Sequence, residues 1–121
     1  MEFKTIEGRL TVCRVADLSG MDMTADLFFI GKTDEEVSLV CRTEDVPENT
    51  TAREDGWRGF RIRGVLDFSL VGVLSEITGI LADRGIGIFA VSTYNTDYIL
   101  VKEDDLGSAL EALRAADYGT G

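Results

Sequence analysis

Apolar residues along this chain recur with two different periods. Over residues 57–66 they alternate: Phe60, Ile62, Gly64 and Leu66 face one way, Arg61, Arg63 and Val65 the other, which predicts a half-buried strand. Leu70, Leu74, Ile77 and Leu81 then recur at spacings of four, three and four, the stripe of an amphipathic helix. Ser69 is placed to cap that helix and Gly85 to end it. Two apolar runs follow, 86–91 and 98–101, separated by Ser92, Thr93, Asn95, Thr96 and Asp97; two such runs about a polar turn predict a β-hairpin. Leu106, Ala109, Leu110 and Leu113 then share one face of a second helix, behind Asp104 and Asp105, whose charge suits a helix N-terminus. A short strand near Tyr118 completes the pattern.

The order β-α-β-β-α is the split arrangement of ferredoxin-like domains. The N-terminal half echoes it. Shifted by 60 positions, residues 29–46 fall on 89–106 without a gap: Phe29 on Phe89, Thr33 on Thr93, Asp45 on Asp105. A second hairpin is therefore expected from 28–31 and 37–42, preceded by a strand over 9–15. The copies differ in their helices. The stretch from Val15 to Phe28 is too short for a full first helix, and 47–56, with Asn49-Thr50-Thr51, is a poor second one. The expectation is an α+β chain of two βαββαβ repeats, a degenerate one over 1–56 and an intact one over 57–121.

Composition narrows the function. Twenty-two acidic residues against 12 basic ones leave a net charge of −10, which disfavours phosphate backbones and anionic lipid. No apolar run approaches the length of a membrane span, and the first residues lack the basic and apolar regions of a signal peptide. Histidine is absent, which removes the commonest general base and metal ligand. Cys13 and Cys41 lie in apolar segments with no metal spacing and are expected as reduced, buried thiols of a cytoplasmic protein. No enzyme, metal or cofactor is expected. Two features carry candidate chemistry. The polar run at 92–97 holds one carboxylate among several hydroxyls, although the same residues suit a turn that merely satisfies itself. Gly72 falls in the expected first turn of the helix, where free N–H groups can receive an anion or a neighbouring backbone can pack closely.

The segment Asp67-Phe68-Ser69-Leu70-Val71-Gly72-Val73-Leu74, followed by Ile77, Leu81 and Gly85-Ile86-Gly87-Ile88, resembles the ACT domain. The run from Ser92 to Val101 is more particular. It is similar to the hairpin of small bacterial tandem-ACT proteins and of the CASTOR-type cytosolic arginine sensors, as are Asp34–Cys41 and Gly56-Trp57-Arg58. The resemblance implies two ACT units per chain, amino-acid binding at an ACT–ACT interface, and assembly through side-by-side or stacked ACT domains; a homodimer is expected because the N-terminal repeat lacks helix cover and its sheet edges need protection. Carried over by position, it implies ligand contacts from Leu70, Val71 and Gly72 and from Thr93, Tyr94 and Asp97. Leu70 stands where the arginine sensors carry a glutamate, so a contact there falls to the backbone. The expected function is amino-acid sensing; the alternative is a structural oligomerisation domain without a ligand.

Overall fold

The computed structural model describes residues 2–62 and 72–120, with two compact units. One comprises residues 8–57. The other comprises residues 58–121 together with the first seven residues.

In the first unit, β2 (Leu10–Val15) lies between β4 (Val37–Arg42) and the early part of β5 (Thr50–Ile62), and β3 (Phe28–Lys32) flanks β4. Each of these pairings is antiparallel. The strand order β3-β4-β2-β5 is that of a ferredoxin-like repeat. Two helices are missing from it. The first is replaced by a loop with two tight side-chain-to-backbone turns, Ser19 N to Asp17 Oδ1 and Thr24 N to Asp22 Oδ1, each 2.9 Å. These hydrogen bonds hold both carboxyls below the usual range. Leu18 and Met21 reach from the loop onto a cluster of Cys13, Val15, Leu39 and Cys41. The second helix is replaced by a strand. Residues 50–56, part of the stretch 47–56 read from the sequence as a poor helix, belong to the strand that pairs with β2, because Thr50 and Thr51 are β-branched and favour the pleat. Gly56 takes φ +81°, beside a register shift in the ladder opposite Thr11.

In the second unit, helix α1 (Val73–Asp83) and helix α2 (Leu106–Ala115) accompany a hairpin of β6 (Ile88–Ser92) and β7 (Asp97–Lys102). β7 also pairs with β5. On the other side of β5 lies a strand the periodicity did not reveal, β1 (Glu2–Thr5), antiparallel, with Phe3 opposite Ile62. β8 (Gly119–Thr120) lies parallel to β1. The place beside the repeat's first strand is thus taken by the N-terminal segment. Phe3, Phe60, Ile62, Ile77, Leu81, Ile99, Val101 and Leu113 form the core.

Both helices end in the same six-residue cap. Ile86 N donates to Leu81 O and Gly85 N to Ala82 O, with Gly85 left-handed at φ +71°. Tyr118 N donates to Leu113 O and Asp117 N to Arg114 O, with Asp117 at φ +69°. The expected stop at Gly85 is observed. The expected start near Ser69 is not: the helix begins at Val73, and Gly72 stands before it as the cap residue rather than in its first turn. Its φ of +84° is the reason, since a left-handed residue cannot continue an α-helix. Ser69 lies outside the described residues.

Candidate functional site

The hairpin tip is a four-residue turn, Thr93 to Thr96, whose backbone closes through Thr93 N to Thr96 O at 2.9 Å. The Thr93 hydroxyl donates to that same carbonyl at 3.0 Å and accepts from Thr96 N at 3.4 Å. Thr93 is therefore bound into the turn, as the bland reading of this polar run holds. Thr96 is buried, 6% exposed, and its hydroxyl donates to Ile62 O of β5 at 3.1 Å. A turn residue thus ties the hairpin tip to the last described residue of the neighbouring strand. Tyr94, at the tip, is 80% exposed.

Ser92 and Asp97 face each other across the ladder one step inside the turn. The Thr93–Thr96 pair carries the backbone bond, so the next pair is of the kind whose side chains stand closer. The Ser92 hydroxyl donates to Asp97 Oδ1 at 2.5 Å. Asp97 is half-buried, and among the described residues it has no cation of its own. The chemistry on offer is a fixed carboxylate beside an exposed aromatic ring.

Of the residues expected at the site, Leu70 and Val71 lie outside the described residues. Gly72 is exposed, and no side chain caps the helix it precedes. Among the described residues, a Cβ added at Gly72 meets nothing within 4 Å; the backbone angle of φ +84° is what favours glycine there. Glu76 N donates back to Gly72 O at 2.9 Å, and the Glu76 carboxylate accepts from the Tyr118 hydroxyl at 2.5 Å. That bond to a carboxylate, with some burial, pushes the Tyr118 phenol up to about 12. Thr93, Tyr94 and Asp97 are brought together by the hairpin. Ser92 and Thr96 were legible only as members of a polar run; counting alternation back from Ile99 pairs Asp97 with Ser92, but nothing in the sequence pairs Thr96 with Ile62.

Elsewhere, the described residues hold no group of three metal-ligating side chains. Both cysteines are buried and free, with burial raising the Cys13 thiol and pushing Cys41 up to about 12. Among the described residues no helix is long and apolar enough to cross a membrane.

Comparison with known proteins agrees with this geometry. The family model described as ACT domain matches residues 52–115. A human protein named cytosolic arginine sensor for mTORC1 subunit 1 is 38% identical over 71 residues, 58% of this chain and 22% of its own length. The Bos taurus protein of that name is 38% identical over 73 residues, 60% of this chain and 22% of its own. The chain thus matches about a fifth of the length of these relatives. Among solved structures, a protein of Agobacterium tumefaciens superposes with a TM-score of 0.87 at 28% identity, covering 99% of this chain and 91% of that one. The aspartate kinase regulatory subunit of Thermus thermophilus superposes at 0.68 with 11% identity, covering 96% and 97%, a likeness of fold alone.

Proposed function

The chain belongs to the ACT domain family, and from that premise we propose that it is a regulatory module that binds an amino acid at an interface between ACT units. The carrying observation is Asp97, a carboxylate held by a serine and without a cation partner among the described residues, in the hairpin that resembles that of the arginine sensors. In this reading Asp97 receives an ammonium or guanidinium group. Backbone N–H groups of Leu70, Val71 and Gly72, the positions that the family resemblance implies, receive the ligand carboxylate. Thr93 shapes the turn, and Tyr94 walls the pocket once a second chain closes over it, which makes a homodimer part of the proposal. The division into a degenerate ACT-like repeat over 1–56 and an ACT domain over 57–121 belongs to the same reading, as does a cytoplasmic, non-catalytic role.

A thermal-shift screen of the twenty amino acids tests the proposal. Binding at a hundredfold excess over the dissociation constant stabilises by about 2.7 kcal/mol, several degrees for a chain of this size. Asp97→Asn should abolish the shift and leave the unliganded melting temperature near wild type. Asp104→Asn, in the turn that leads into α2, should leave the shift intact. If no amino acid moves the transition while light scattering shows a stable dimer, the ligand-free oligomerisation domain is the better account.

A further inference from the structure

The two hairpins share a backbone but differ in the pair nearest the turn. In the N-terminal hairpin, Thr33 N donates to Glu36 O at 2.9 Å and Thr33 Oγ1 accepts from Glu36 N at 3.2 Å, the same closure as at Thr93. The next pair there is Lys32 and Val37; in the C-terminal hairpin it is Ser92 and Asp97. One position therefore presents a cation and an apolar group, the other a hydroxyl donating into a carboxylate.

We propose that Ser92 is a positioning residue for the ligand site: its hydroxyl fixes the Asp97 carboxylate so that the hairpin reads a positive charge on the ligand. The inference rests on the amino-acid-binding reading above. An aspartate on a strand turns about χ1 and χ2, and at a half-buried position several of its rotamers point into water. The bond from Ser92 engages Oδ1 and selects one orientation, in which Oδ2 is the oxygen we assign to the ligand cation. It also supplies a donor that water would otherwise provide, so the carboxylate meets its partner with less to reorganise. Ser92 itself is exposed and adds nothing to the core, so its removal is read in recognition rather than in folding. The N-terminal hairpin, with Lys32 opposite Val37, cannot make this pair.

Isothermal titration of the full chain with L-arginine, L-lysine and L-citrulline tests this, citrulline being the neutral counterpart of arginine. Wild type should prefer the two cations to citrulline. Ser92→Ala should reduce that preference by about tenfold, the lower end of the worth of a hydrogen bond to a charged group. Ser92→Thr keeps the hydroxyl and suits a strand, and should restore the preference. The unliganded melting temperature should be alike in all three proteins. A Ser92→Ala protein with the wild-type preference overturns the role of Ser92 and leaves the amino-acid reading standing. A wild type that binds citrulline as tightly as arginine overturns charge reading by the pair. A wild type that binds no amino acid removes the underlying reading, and this inference with it.

Discussion

The N-terminal and C-terminal hairpins start alike and end differently. β3 and β4 recur sixty positions later as β6 and β7, and the short 3₁₀ turn Thr43–Asp45 recurs as Glu103–Asp105. Both copies then arrive at an apolar residue, Val46 or Leu106. Leu106 has φ −58° and ψ −46° and begins α2, whereas Val46 has φ −63° and ψ +124° and leaves the helical region. The next residue explains the split: Pro47 in one copy, Gly107 in the other. A proline clashes with a helical residue before it and pushes that residue towards the extended region. One side chain thus decides whether the repeat gains a helix or turns into a strand. The same comparison holds at the tip, where Glu36 is exposed and Thr96 is buried against Ile62.

Exchanging these deciding residues tests the comparison. Gly107→Pro should have the largest effect, because it imposes the N-terminal outcome on a repeat whose core needs Ala109 and Leu113. The expected loss is on the order of 3 kcal/mol, arising not from a missing interior hydrogen bond, since Gly107 lies in the first turn, but from forcing Leu106 out of the helical region; urea denaturation with helix content followed by circular dichroism measures it. A variant as stable and as helical as wild type would show that the split at Val46 has another cause. Thr96→Val should come next. It deprives the Ile62 carbonyl of its buried donor at a cost of about 1–3 kcal/mol, and Thr96→Ser should recover most of that. Should Thr96→Val match wild type in urea, the tie between hairpin and strand is incidental. Gly107→Ala should act in the opposite direction. A Cβ there meets nothing within 4 Å, so the variant should gain about 0.5–1 kcal/mol from helix propensity alone.

The smallest effect separates the two cores by pH. Only the N-terminal cluster contains thiols. Cys41 is held near 12 by burial, against 9.0 for an ordinary thiol, and Cys13 is shifted in the same direction. A raised folded value means that the folded state keeps its proton longer than the unfolded chain. The associated stability is present in full below about pH 9 and is lost as pH rises from there towards 12. Urea midpoints should therefore begin to fall above about pH 9, ahead of the main loss from Tyr118, whose ordinary value is 10.0. Cys41→Ala should be less stable than wild type at pH 7.5 but show a shallower alkaline decline. An equal decline in both proteins would rule out Cys41 as its source.

Periodicity determined a great deal by itself. Ile77 and Leu81 were expected on one helix face and both are buried; Phe60 and Ile62 alternate into the core; the two hairpins stand at their expected positions. These features depend on local geometry, on the two-residue repeat of a strand and the 3.6-residue repeat of a helix, so a local pattern reveals them. Gly85 as a stop is legible for the same reason, since a left-handed cap favours a residue without a Cβ, whereas Asp117 fills the same place in the other helix without announcing it. Within the candidate site, the polar run and Asp97 were visible as chemistry on a turn.

What the tertiary structure decided has a different origin. Residues 2–5 are too few to show a period, and they form a strand only because β5 offers Ile62, Arg61 and Phe60 as partners. Residues 50–56 look like a poor helix in isolation and become a strand because β2 has an edge to fill. Thr96 counts as an ordinary turn residue until Ile62, thirty-four positions away in the chain, supplies the carbonyl it binds. Hydrogen bonds between distant segments leave no mark in a local pattern, because the chain between them sets the distance without prescribing the contact. The amino-acid sequence determined which segments fold and which residues bring charge to the hairpin tip. Pairing between strands determined which backbone edges are filled and which side chain holds that charge in place.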